Sequence, residues 1–116
     1  MKNLLFTESL KKNYQFKTVY NRGKSVANYH LVLYAIKNGR EKNRLGISIS
    51  KKVGKRVIRS HKTRLIKENY RLMEGDLKKG YDIVFIVRVN AKNADYYEIK
   101  KAMEKLFKKI LLFKEA

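Results

Sequence analysis

The sequence predicts a small α/β (α+β) sandwich, a central sheet with helices packed on it. Three observations predict it. Segments of helical and strand period follow one another as helix, strand, strand, helix, strand, helix. At the centre of that order a strand, a crossover helix of about eighteen residues and a second strand make a βαβ unit, for which parallel pairing is expected. Finally, 116 residues without Pro, linker or internal repeat leave room for one core, so residues 1–116 are expected to form a single domain.

Residues 1–12 carry no clear period and read as loosely held. Asn13 is a candidate N-cap for a short helix over residues 14–22 that stops at Gly23, with Phe16, Val19 and Tyr20 on one side. Residues 25–37 read as one strand, in which Leu31, Leu33 and Ala35 alternate with Val32, Tyr34 and Ile36. After the turn dipeptide Asn38-Gly39, residues 44–50 place Leu45, Ile47 and Ile49 on one face and Gly46, Ser48 and Ser50 on the other. Something can approach the sheet closely on that second face.

Beyond Gly54 the period becomes helical. Val57, Ile58, Leu65, Ile66, Tyr70 and Met73 cover one arc, and Arg56, Ser60, Arg64, Lys67 and Arg71 the opposite side. Gly75 or Gly80 ends the segment, and residues 81–88 read as a buried strand. Asn93 then caps a last helix reaching about Phe113, with Ile99, Ala102, Met103, Leu106, Phe107 and Ile110 inward.

Twenty-nine Lys and Arg against ten Asp and Glu give a formal charge of +19, a self-repulsion that a polyanionic partner relieves. Eight Tyr, five Phe and 44% hydrophobic residues argue against a disordered basic tail. The chain has no Cys, which excludes disulfides, thiolate chemistry and Cys-ligated metals. The opening residues lack the apolar stretch of an export signal, and the longest apolar run, Ile83 to Val87, is far below the about twenty residues a membrane helix needs. A cytoplasmic protein with no membrane contact is expected.

The residue inventory argues against a self-sufficient active site. His30 and His61 are the only histidines, and neither has metal-ligand spacing. The carboxylates form no D-x-D or E-x-x-H pair able to hold two metal ions. Gly23-Lys24-Ser25 and Gly54-Lys55-Arg56 mimic the end of a phosphate-binding loop, but Thr18 and Ile49 stand where its first glycine belongs. Gly54, beside a helix start, still leaves backbone amides free to face a phosphate.

The strongest signal is cationic. Lys51, Lys52, Lys55, Arg56, Arg59, Lys62, Arg64, Lys67 and Arg71 meet a single acid, Glu68, and positions 56, 60, 64, 67 and 71 form a straight stripe along a helix. Solvated helix faces interleave Glu with Lys, and this one does not. A phosphate backbone is therefore the expected partner, with Arg able to grip phosphate bidentately. Phe16 and Tyr20 lie one turn apart and Tyr34 comes from the following strand. They serve either as core or as a stacking surface for unpaired bases, and both readings stay open.

Residues 44–55, Arg-Leu-Gly-Ile-Ser-Ile-Ser-Lys-Lys-Val-Gly-Lys, followed by Val57 to Glu68, resemble the hallmark segment of the bacterial ribonuclease P protein subunit. Leu10 to Asn13, Phe16 and Tyr20 ahead of Gly23-Lys24-Ser25, and the Tyr-Asp-Ile-Val run from 81, are similar to flanking parts of that family. The family's Arg-Asn-Arg triplet aligns with Arg59-Ser60-His61, so only its first position is retained. Ser60 is shorter than Asn, and an unperturbed His61 is mostly neutral at pH 7, so contacts there are weaker or pH-dependent.

The resemblance implies a ribonucleoprotein subunit for removal of the 5′ leader from precursor tRNA. Its RNA subunit holds catalytic Mg²⁺, and the protein alone binds no cofactor. It implies that the basic helix, with Ser60 and His61, contacts the catalytic RNA, and that a cleft of Phe16, Tyr20 and Tyr34, with Ser48 and Ser50 nearby, takes the leader. It also implies a left-handed βαβ crossover, against the general rule. The alternatives are a ribosomal or other structural RNA-binding protein and, third, a metal-dependent nuclease acting alone.

Overall fold

The computed structural model describes residues 4–115. Its strands are β1 (Thr7–Ser9), β2 (Lys24–Ala27), β3 (Leu31–Lys37), β4 (Asn43–Ile49) and β5 (Tyr81–Val87), and its helices α1 (Asn13–Arg22), α2 (Arg56–Met73) and α3 (Tyr96–Lys109). The strands form one mixed sheet in the order β1-β4-β5-β3-β2. β1, β4 and β5 run parallel, as the βαβ reading requires, while β3 is antiparallel to both β5 and β2. The architecture is thus α+β. β5, apolar on both faces, takes the centre, which separates β3 from β4 despite the turn that joins them.

Register sorts the sheet into two faces. Ile47, Phe85, Leu33 and Val26 lie in one cross-strand row, flanked by the rows of Leu45 and of Ile49. These side chains and the apolar sides of α2 and α3 make the main core, where the Phe107 ring meets Phe85 at 5.5 Å and Tyr70 at 6.4 Å. α2 is inward at Lys62, Leu65, Ile66, Asn69, Tyr70 and Met73, an i, i+3, i+4 spacing that faces one direction. The opposite sheet face carries Gly46, Val84 and Tyr34 in one row. Leu10, Val19 and Val84 form a smaller core there beneath α1.

Several expectations are corrected. The segment read as loosely held contains β1 and the buried Leu10; residues 1–3 lie outside the described residues. Its anchor is Glu74, 0% exposed, whose carboxylate accepts from the backbone N–H of Leu5 and Phe6 and from the Thr7 hydroxyl. That partner is 69 residues away from Leu5 in sequence and leaves no local trace. The strand read over residues 25–37 is a hairpin. Asn28 Oδ1 accepts from the N–H of His30 and Leu31, turning the chain, and its Nδ2 donates to Ala102 O at 3.0 Å.

Helix starts differ as well. Asn13 begins α1 without capping it, because Gln15 Oε1 accepts from the N–H of Lys11 and Lys12. Asp95, in a capping box with Glu98, starts α3 instead of Asn93, and α3 ends at Lys109. Val57, placed on the inward arc, is 80% exposed because, three residues before Ser60 and seven before Arg64, it shares their outward side of α2, whereas the neighbouring Ile58 is half-buried.

A polar lattice joins the parallel strands to α2. Tyr70 Oη lies 2.8 Å from Thr7 Oγ1 and accepts from Asn43 Nδ2, while Asn43 also binds Lys78 O and the N–H of Tyr81. Arg44 clamps Asp82 through Nε and a terminal nitrogen, at 2.8 and 2.6 Å. Replacing Glu74 by Gln turns one acceptor oxygen into a donor facing donors, and an expected loss of about 2–3 kcal/mol is read from urea unfolding, with faster amide exchange at residues 5–9.

Burial pushes the Tyr70 phenol from 10.0 up to about 12. The folded state therefore holds this proton longer than the unfolded chain. The resulting stabilisation is complete below pH 10 and is lost as pH rises through about 12, amounting to about 2–3 kcal/mol. Tyr70→Phe is expected to remove that step, seen as a flatter dependence of the urea midpoint between pH 9 and 11.

Candidate nucleic-acid interface

α2 is long enough to present a full face to solvent because nothing in its 18 residues interrupts it and its inward side is fixed by the core. Arg56, Ser60, His61, Arg64, Lys67 and Arg71 are exposed along it, as are Lys51, Lys52 and Lys55 in the preceding turn. The first turn has no acidic residue and no side-chain cap, so its backbone amides and the positive end of the helix dipole face outward among cations. Among the described residues Arg71 is the one cation of this face that is locally neutralised, by Glu68 at 3.1 Å.

Two predicted residues behave differently. Lys62 is 3% exposed, and its Nζ donates to Ala94 O at 2.6 Å, tying α2 to the start of α3; desolvation holds its pKa below the ordinary value. Its place at i−3 and i−4 from Leu65 and Ile66 assigns it to the inward arc, outside the stripe. Arg59 is half-buried, with Nε enclosed and unpartnered, and it lines a recess of about 400 Å³ with Arg56, Ser60, Thr63, Ile47 and Ile49.

The aromatic residues do converge. Phe16 and Tyr20 rings lie 6.3 Å apart, and Tyr20 meets Tyr34 edge to face at 5.1 Å. All three are half-buried, covering Val84 while keeping an outward side. α1 reaches the sheet because Gly46 has no side chain: a Cβ there would stand 2.6 Å from the Phe16 ring. Ser48, in register with Ile86 and Val32, continues the same sheet face beyond α1. Ser50 lies past the strand end, about 13 Å from Gly46 at strand rise, and its hydroxyl accepts from Lys52 N–H.

The cleft and the stripe meet at the edge of β4. β1 pairs only with residues 43–45 of β4, leaving the edge from Gly46 to Ile49 uncovered by a strand. A recess of about 190 Å³ opens there, with Phe16 and Gly46 on one side and Thr63 and Lys67 of α2 on the other. Sequence reading missed Thr63 as a lining residue and missed a cationic recess of about 480 Å³ at the start of α1, where Lys11, Lys12, Arg40 and Arg44 gather around Glu8. The Lys11-Lys12 pair was its only signal. A hydrogen bond from Lys42 holds the Glu8 carboxyl below its usual range.

For catalysis the geometry offers little. His30 Nε2 is 3.8 Å from Glu98 at the far end of the sheet, and His61 stands in solvent on α2. Among the described residues no three of His, Asp and Glu assemble into a group able to hold a metal ion, and no helix is long and apolar enough to cross a membrane.

A family profile described as Ribonuclease P matches residues 5–111. The ribonuclease P protein component of Caldanaerobacter subterraneus is 46% identical over 106 residues, covering 91% of either chain. That of Clostridium perfringens is 53% identical over 108 residues, covering 87% of this chain and 86% of the relative. The RNase P protein of Staphylococcus aureus has the same fold with a TM-score of 0.85 at 36% identity, over 91% of this chain and 97% of that one. The Thermotoga maritima protein follows at 0.81 and 31%, over 88% and 96%.

Sequence and fold agree along almost the entire length, which favours this family over a ribosomal protein: the chain belongs to the bacterial ribonuclease P protein family, the protein component of the ribonucleoprotein endonuclease that matures tRNA 5′ ends.

Proposed function

We propose that the outward face of α2 grips the catalytic RNA and that the α1 cleft takes the single-stranded 5′ leader of precursor tRNA. The first surface comprises Lys51, Lys52, Lys55, Arg56, Arg59, Ser60, His61, Arg64, Lys67 and Arg71; Lys62 is left out because its ammonium is spent on Ala94. The second comprises Phe16, Tyr20, Tyr34 and Ser48, with Ser50 at its far end. The observation that carries this reading is the uncovered edge of β4, where Phe16 and Lys67 line one recess. An RNA strand leaving the basic face passes directly onto the aromatic one.

The division of labour follows from chemistry. A row of unneutralised cations binds phosphate without regard to sequence, by releasing counterions, whereas half-buried rings accept unpaired bases. By lowering the repulsion between two RNAs, the same cations favour Mg²⁺ held by the RNA subunit, and the protein works in the cytoplasm as one RNA-binding domain. Reconstitution tests the whole reading: precursor tRNA is cleaved when protein and catalytic RNA are combined, and the protein alone leaves it intact.

Arg64→Ala and Lys67→Ala are each expected to weaken binding to the catalytic RNA about 5- to 20-fold and to lower the slope of log affinity against log salt by about one. Lys62→Met is expected to leave both quantities unchanged, which filter binding at several salt concentrations decides. Tyr20→Ala and Phe16→Ala are expected to weaken holoenzyme affinity for leader-bearing precursor about 10-fold, at about 1–3 kcal/mol per stacked base, and to spare mature tRNA. Equal losses for both substrates refute the leader assignment.

A further inference from the structure

A second candidate contact lies at the other end of the sheet. There Lys24, Ala35 and Lys37 stand beside Tyr81 on the face opposite α1, with Lys24 paired to Ala35 and Lys37 to Tyr81. The segment after α3 covers this corner. Leu111 adopts φ 60 and turns its own side chain into solvent, while Ile110 and Leu112 lie inward. Backbone bonds fix the wall: Leu112 N–H donates to Phe107 O, and Lys78 N–H to Leu112 O at 2.8 Å. Such a left-handed conformation persists in a non-glycine residue only where its surroundings hold it.

Between wall and sheet a cleft of about 300 Å³ remains, lined by Tyr81, Ile110 and Leu112 and rimmed by Arg22, Lys24 and Lys37. No carboxylate lines it, and among the described residues none of those three cations takes part in an ion pair or a side-chain hydrogen bond. The volume is at the small end of ligand clefts, enough for one planar group and too little for a helix. An apolar and aromatic floor below three unsatisfied cations matches a base with its phosphates.

We infer that this corner is a nucleotide subsite that receives one unpaired nucleotide of the bound RNA, its base against Tyr81, Ile110 and Leu112 and its phosphates on Arg22, Lys24 and Lys37. The inference rests on the RNA-binding reading above but concerns a different face, so the two can fail separately. Titrating isotope-labelled protein with adenosine and uridine 5′-monophosphate is expected to give saturable amide shifts at Lys37, Tyr81 and Leu112, weakened at least 10-fold in Lys24→Glu/Lys37→Glu. Inorganic phosphate at equal concentration is the control, and identical shifts with it mean an adventitious ion only and overturn the subsite.

In the holoenzyme the same double charge reversal is expected to weaken RNA binding at least 5-fold more than Lys105→Glu/Lys108→Glu on the solvent side of α3. Equal losses in the two pairs, with nucleotide still titrating the free protein, assign the cleft to a free nucleotide and overturn its role toward RNA. Loss of catalytic-RNA binding in Arg64→Ala reports on the first reading alone.

Discussion

The contact of Phe16 with Gly46 is the constraint on which the interface depends. It lets α1 lie on a sheet whose facing strand presents no side chain at that point, and so places the aromatic side chains beside the bare edge of β4. A Cβ at residue 46 would stand 2.6 Å from the ring, so the Phe16 side chain would have to leave its present place against the strand. The edge itself stays bare because β1 is three residues long, and its position is set from the far side by Glu74 and Tyr70. Two distant packing events therefore shape one recess.

A formal +19 is a cost to the folded chain that the fold offsets selectively. Two packed cations are satisfied within the fold, Arg44 by Asp82 and Lys62 by a carbonyl, whereas the enclosed Nε of Arg59 is not. Glu8 gathers Arg40 and Lys42 near β1. Along the outward side of α2 Glu68 is the one acid, and among the described residues Arg56, Arg64 and Lys67 have no ion-pair partner while Arg71 is held by Glu68. The distribution separates cations that hold the fold from cations that face solvent, a distinction that net charge cannot make.

Most of the architecture was legible because it is local. The alternation in β4, the apolar run of β5 and the helical period of α2 and α3 are each written within a few residues, and the parallel β4–β5 pair follows from the helix between them. What escaped depends on partners remote in sequence. β1 is a polar Thr-Glu-Ser held by a carboxylate 67 residues from Thr7. The hairpin at Asn28 is stabilised by a carbonyl of α3. In the candidate site the exposed stripe was readable from spacing alone, whereas Lys62 was grouped with the cations by residue type when its position belonged to the apolar arc. Val57 erred oppositely, apolar by type but in phase with Ser60 and Arg64 on the outward side.

The aligned triplet Arg59-Ser60-His61 can now be weighed by position. Ser60 and His61 are exposed on α2, and no side-chain hydrogen bond within the described residues fixes either of them. Arg59 is different, because packing encloses its Nε and directs the guanidinium along the recess beside Ile47 and Ile49. A pre-placed planar fork loses less freedom on binding than a mobile surface side chain. Of the three residues Arg59 is thus the one whose geometry the fold supplies, whereas the side chains of Ser60 and His61 are left to solvent.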